Sequence, residues 1–361
     1  MVQQISTNTF GVAKWIVSAT ASDGTHTTIA AALTSASSGD TIFIRPGTYT
    51  ENLTLKSGVN LASFTCESSP GNSNVIIIGK LIDNGGAVSC SISGIRLQTN
   101  SDNILAATGT GRISLMECDI NCSNNTGILL NNAAVGVELF DCTGTLGTTG
   151  IGLCTVTTGS LFLLNVYIGN GGASTTASTC ASGSITSTFC KYNIPFSTSS
   201  SGVVNFIESE ITCGTTAITT AGTGSSSVTG GKISTGSSSA LSIGSGTTLS
   251  ISGCDIDSTN TNAITGAGTV VYAGNNFTNT SSTINTTTQT ARTLRAGQFQ
   301  SNTQPAFFAY QASGATNATG DGTAYTLGST VDLTEVYDQG ANFDPATGTF
   351  TAPVTGIYQF F

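Results

Sequence analysis

The segments ISLMECDI (113–120), VELFDCTG (137–144), LFLLNVYI (161–168), ITSTFCKY (185–192), VNFIESEI (204–211), SSVTGGKI (226–233), LSISGCDI (249–256) and VVYAGNNF (270–277) align without gaps, and their alignment decides the fold. Cys118, Cys142, Val166, Cys190, Ser209, Gly231 and Cys254 share one column, and CSISGIRL (90–97) adds Ile95 to it upstream. A second column holds Leu97, Ile120, Ile168, Tyr192, Ile211, Ile233, Ile256 and Phe277. A third, half a repeat later, holds Ile104, Ile128, Ile151, Ile218, Leu241, Ile264 and Ile284. Repeats of roughly 19 to 24 residues are a solenoid signature. Within each segment apolar residues alternate with small polar ones, which is the period of a strand. Clusters of Gly, Ser, Asn and Thr between segments mark turns.

Strands recurring at this interval with no helical pattern between them cannot be βαβ units. The chain is expected to coil so that each turn stacks on the last, corresponding strands pair in parallel, and each column becomes an interior ladder. That is a right-handed parallel β-helix. Roughly eleven coils at about 4.8 Å each give a rod of about 50 Å. Upstream, a short helix is expected over Thr28 to Ser35, a strand over Thr41 to Arg45 and a turn at Pro46-Gly47. The helix would cap the open end of the coil, where an exposed ladder is a sticky edge. The expected organisation is a cap over 1–38, a β-helix over 39–289, a linker over 290–304 and a second β module over 305–361.

Composition narrows the function. The 361 residues include 44 Gly, 10 Lys+Arg, 19 Asp+Glu and 1 His, for a net charge of −9. Charged residues make up 8% of the chain, against about 25% in ordinary domains. No basic patch can be assembled, so nucleic acid is excluded as a partner. The single His26 leaves little room for a Ser-His-Asp, Cys-His or His-based metal site. The longest apolar run, Val75 to Ile78, is far too short to cross about 30 Å of hydrocarbon, so no membrane insertion is expected. The N-terminus MVQQISTNTF lacks the basic and apolar regions of a secretory signal.

The segments TTIAAAL (27–33) and GDTIFIRPGTYTENLTL (39–55) resemble the entry region of pectin-lyase-like β-helix proteins, which include pectin methylesterases and many phage tailspikes. The resemblance is motif-like over 25–61 and architectural over about 12–290. It implies the β-helix fold and says almost nothing of activity. The stretch VYDQGANFDPATGTFTAPVTGIYQF (336–360) resembles the first half of a C1q/TNF-like jelly roll. The matching residues are Phe307, Ala309, Asn342, Phe343, Asp344, Thr347, Gly348, Phe350, Pro353, Gly356, Tyr358 and Phe360. That resemblance implies a compact trimer that binds other molecules at the tip of a stalk. A full domain of that kind is about twice as long, and the sequence stops within a strand at GIYQFF, so the natural chain is expected to continue.

Enzymes built on the β-helix place several charged groups on adjacent coils, because two carboxylates must flank one bond or one metal. Glu117, Asp119 and Asp141 are the best catalytic candidates here, and only Arg96 and Arg112 stand near them. Such an acid pair suits glycosidic protonation or Ca²⁺, but neither a metal nor a cofactor is expected. The column Arg96, Asp119, Thr143, Tyr167, Lys191, Glu210, Lys232, Asp255 alternates in sign from Lys191 onward and reads as an outward salt-bridge ladder. Four of the ten cysteines fall on one interior column. They read as free core thiols, which would suit assembly in a reducing compartment, with disulfides as the alternative. Cys118-x3-Cys122 has no His beside it to hold zinc. His26 is expected at the cap surface and Trp15 beneath the cap.

The expected function is a structural or adhesive fibre or spike on a virion or extracellular surface. It would be a homotrimer whose C1q-like head binds a cell-surface glycan or protein receptor. The alternative is a tailspike-like glycosidase or lyase acting through Glu117, Asp119 and Asp141.

Overall fold

The computed structural model describes residues 14–65, 73–99, 103–122, 127–147, 152–170, 177–236, 238–260, 262–278, 282–291, 306–311, 328, 331, 333–339 and 342–352. The chain forms two compact units, residues 1–294 and 295–361. The first is an all-β parallel solenoid of about 10 turns.

Each turn lays down strands in three ladders. Two ladders merge into a 20-stranded sheet and the third is a separate 11-stranded sheet. In the first, Leu105 pairs with Ile128 and Ile218 with Leu241. In the second, Ile113 pairs with Val137, Leu161 with Ile185 and Leu249 with Val270. In the third, Leu97, Ile120, Gly144, Ile168, Tyr192, Ile211, Ile233, Ile256 and Phe277 follow one another rung by rung. All of these pairings are parallel, in the register of the sequence alignment.

One column needs correction. Leu105, not Ile104, pairs with Ile128 and with Leu81. Both residues are fully buried, so apolar character alone cannot tell which one lies on the ladder. On the next rung Cys154, not Ile151, pairs with Ile128, so the column lay three residues off there. Cys66, Pro353, Gly356, Tyr358 and Phe360 lie outside the described residues.

Alternation is visible in the burial. Thr41–Ile44 and Val75–Ile78 place every second side chain in the core. The inward columns are aliphatic over most of the solenoid. Midway they turn aromatic, where Tyr192, Phe196 and Phe206 pack edge-to-face with centroids 4.9–6.3 Å apart. The buried Tyr192 hydroxyl cannot reach water, so it is satisfied internally. It lies 2.9 Å from Ser187 Oγ, which lies 3.1 Å from Ser209 Oγ. Burial pushes the Tyr192 phenol well above its ordinary range.

Cys118, Cys142, Cys190 and Cys254 are buried free thiols, as expected of small ladder residues. The hydrogen bond with Cys118, and then burial, push the Cys142 thiol up. Burial pushes Cys254 up to about 11 and Cys90 up to about 12. Thiols held protonated in this way are poor nucleophiles.

The N-terminal end is closed by helix α1 (Ile29–Ser35), which buries Ile29, Ala32 and Leu33. Its Ala-rich sequence favours helix, and both ends are satisfied by side chains. Thr28 Oγ1 accepts from the Ala31 amide, and the Glu51 carboxylate accepts from the Ile29 and Ala30 amides at 2.9 Å each. At the other end Lys56 Nζ donates to the Leu33, Thr34 and Ala36 carbonyls. An anion at the first turn and a cation at the last both complement the helix dipole. Trp15–Val17 already pairs with Thr41–Ile44 and extends the large sheet under the cap. Trp15 Nε1 donates to Asp40 at 2.7 Å, and Lys14 pairs with the same carboxylate at 3.1 Å. Bonds from the Ser37 amide, Trp15 and Lys14 hold Asp40 at a pKa of about 2. His26 precedes the helix, its Nε2 lying 3.1 Å from Ser35 Oγ. The last solenoid strand runs to Ala291, past the expected end of the β-helix.

The second unit is antiparallel. Ala306–Gln311 pairs with Leu333–Gln339 through a bulge after Phe308, and Phe343–Asp344 pairs with Thr349–Phe350. Phe307 stacks on Phe343 at 3.9 Å and on Phe350 at 5.4 Å. Phe308, Tyr310, Val336 and Tyr337 are exposed. Among the described residues no helix is long and apolar enough to cross a membrane.

Candidate functional site

The chain passes from the large sheet to the 11-stranded sheet through one tight corner per turn. The corner residue stands immediately before the cysteine column and adopts the left-handed conformation. Gly94, Glu117, Asp141, Asn165, Phe189, Glu208, Gly230, Gly253 and Gly274 occupy it on successive rungs, with φ between 47° and 68°. Glycine accepts this backbone freely and Asn and Asp tolerate it, whereas other residues such as Glu and Phe are strained by it. Five consecutive rungs in the middle of the solenoid nevertheless carry side chains there, and all five are exposed.

Those side chains form a ridge beside the outer face of the 11-stranded sheet. Asn165 Nδ2 donates to Asp141 Oδ1 at 2.7 Å. Next to the ridge runs the column Arg96, Asp119, Thr143, Tyr167, Lys191, Glu210, Lys232, Asp255, in register as aligned. Among the described residues it closes into ion pairs along the column at two places. Arg96 Nε meets Asp119 at 2.7 Å and Lys191 Nζ meets Glu210 at 3.1 Å. The first pair faces outward as expected but is covered, the Asp119 side chain being 8% exposed. No ion pair within 4.0 Å joins Lys232 to Glu210 or Asp255, although the rungs alternate in sign. An open groove of about 380 Å³ lies against Arg96, Asp119, Asn121, Thr143, Thr145 and Tyr167. A second of about 460 Å³ lies against Phe189, Lys191, Glu208, Glu210, Lys232 and Asp255.

The structure separates the three candidate acids. Glu117 and Asp141 are rung neighbours on the corner ridge. Asp119 turns onto the sheet and is saturated by Arg96, by Asn121 Nδ2 at 2.9 Å and by Thr143 Oγ1 at 3.4 Å. Glu138 faces outward from the large sheet, bound by Arg112 at 3.1 Å and by Ser114 at 3.0 Å. Carboxylates engaged by a guanidinium and neighbouring side chains have fewer oxygen lone pairs left for a substrate. Among the described residues no group of three or more His, Cys, Asp or Glu is placed to hold a metal ion.

No family model matches this chain, and neither does any curated protein. Its function therefore rests on its own geometry. The corner ridge with its adjoining grooves offers hydrogen-bonding side chains in regular rows, plus exposed rings at Tyr167 and Phe189. That chemistry suits recognition better than bond cleavage. The ridge was legible as a column reading Gly, Glu, Asp, Asn, Phe, Glu, Gly, Gly, Gly just before the cysteines, a mixture typical of left-handed turns. The exposure of Phe189 was not legible, since an aromatic in a repeat normally reads as core.

Proposed function

We propose that this chain is a structural or adhesive fibre or spike protein of a virion or extracellular surface. Its shaft is a right-handed, pectin-lyase-like solenoid, and its C-terminal unit is a C1q/TNF-like head. Three heads assemble the homotrimer and bind a cell-surface glycan or protein receptor. The observation that carries the reading is the contrast in exposed apolar surface. Among the described residues, the solenoid exposes Phe64, Tyr167, Phe189 and Ile207, whereas the small second unit exposes Phe308, Tyr310, Val336 and Tyr337 on two paired strands. Dense exposed apolar surface marks association. The glycosidase or lyase alternative has less support, because Arg96 occupies Asp119 and Asn165 binds Asp141.

Light scattering tests the reading on the whole chain and on a chain ending at Leu294. A trimer that becomes a monomer on truncation is the expected result. A whole chain that stays monomeric overturns it.

A further inference from the structure

The buried column that carries the cysteines also holds Ile95, Val166 and Ser209, so packing alone does not call for a thiol in it. Among the described residues, Cys118 and Cys142 are the two cysteines that stand directly opposite each other on neighbouring rungs, framed by the pairs Met116–Phe140 and Asp119–Thr143. Cys190 lies between Val166 and Ser209 instead. The two sulfurs occupy equivalent seats one rung apart. Cys118 Sγ lies 3.4 Å from the Ile92 and Met116 carbonyl oxygens, and Cys142 Sγ lies 3.4 and 3.3 Å from those of Leu115 and Phe140, the next residues along the same ladders. The thiols also share a hydrogen bond, which pulls Cys118 below its ordinary range against the opposing effect of burial. The other described thiols that shift are all pushed up. Cys118 is thus the sulfur of the pair that gives up its proton, and the thiolate is the nucleophile.

We propose that Cys118 and Cys142 are a peroxide-oxidised pair that forms a disulfide between neighbouring rungs of the solenoid. The Cys118 thiolate attacks one peroxide oxygen, the O–O bond breaks, and a proton and the second oxygen leave as water, giving a sulfenic acid. The Cys142 sulfur then attacks the Cys118 sulfur and releases the hydroxyl as a second water. Two thiols and one peroxide become one disulfide and two waters. Neighbouring strands lie about 4.8 Å apart, inside the roughly 4.4–6.8 Å that a disulfide needs between its Cα atoms, so the bond fits the register the coil already has. Both thiols are fully buried, but each directly follows an exposed corner, Glu117 or Asp141, and a peroxide is small enough to enter when such a corner opens locally. The bond closes the chain into a ring around one whole turn, which then cannot unwind until it is reduced. A chain assembled with free thiols in a reducing compartment would gain this tie on meeting an oxidant. The tie concerns the solenoid alone and stands whether or not the chain is a fibre.

Thiol counting on the intact chain tests this. The folded protein is treated with hydrogen peroxide, the excess is removed with catalase, and the chain is unfolded and its thiols titrated. The count should fall by two and recover with dithiothreitol. The melting temperature should rise by at least about 5 °C on oxidation and return on reduction. Cys118→Val and Cys142→Val place in the column the residue found at position 166, and each should abolish both the loss of thiols and the rise in melting. Cys118→Ala gives the same reading if valine overpacks the site. Cys254→Val, in the same column but away from the pair, should still lose two thiols. An unchanged count in the parent, an equal loss in the parent and in either the Cys118 or the Cys142 variant, or a loss that dithiothreitol does not reverse overturns the proposal.

Discussion

The same corner is turned by Glu117, Asp141, Asn165, Phe189 and Glu208 in the middle of the solenoid and by Gly230, Gly253 and Gly274 towards its end. The backbone angles barely differ. The later rungs show that the coil needs nothing at this position except a residue at ease with positive φ. The middle rungs give up that ease, and their side chains reach solvent. Identical backbone geometry thus separates a part of the shaft built for stability alone from a part that presents chemistry.

The largest expected effect comes from the glycine half. Gly231 lies in the buried column itself at φ 76°, and a Cβ there would overlap the Ser209 carbonyl. Gly231→Ala should cost about 3 kcal/mol in urea unfolding, combining left-handed strain with overpacking. Gly253→Ala, whose Cβ would meet nothing within 4 Å, should cost only about 1 kcal/mol. Equal costs would mean that the two columns are not distinct.

An intermediate effect separates the two ion pairs beside the ridge. Arg96→Met strands the buried Asp119 carboxylate and should cost about 2 kcal/mol. Lys191→Met removes a half-exposed partner and should cost under about 1 kcal/mol. Melting at raised salt checks the assignment, because only the exposed pair should weaken.

The smallest effect should be a gain. Glu117→Gly gives a middle rung the corner of the later ones and should stabilise by up to about 1 kcal/mol, the relieved strain being partly offset by a more flexible unfolded chain. A loss would mean that Glu117 holds the coil together.

Most of the solenoid was legible because its register is encoded in redundant columns. Cys118 above Cys142 and Ile113 above Val137 fix the same offset independently, and a one-residue slip would turn both columns outward. Where two apolar residues adjoin, as at Ile104 and Leu105, that redundancy fails and the column was placed one residue off. Asp119 shows a different limit. Its column was right, but whether a carboxylate there lies open or sinks beneath an arginine depends on neighbouring side chains that a pattern does not hold. Phe189 is the reverse case, since its ring reads as core and only the left-handed corner throws it outward.

The register has one more consequence, for how such a chain changes length. Lys232 stands directly above Asp255, and their coils touch only the coils next to them. Excising residues 232–254 would join Gly231 to Asp255 and leave every column above and below aligned. The shaft can therefore be shortened or lengthened in whole rungs, like a ruler cut at its marks, while any excision of a few residues would throw the apolar columns out of line.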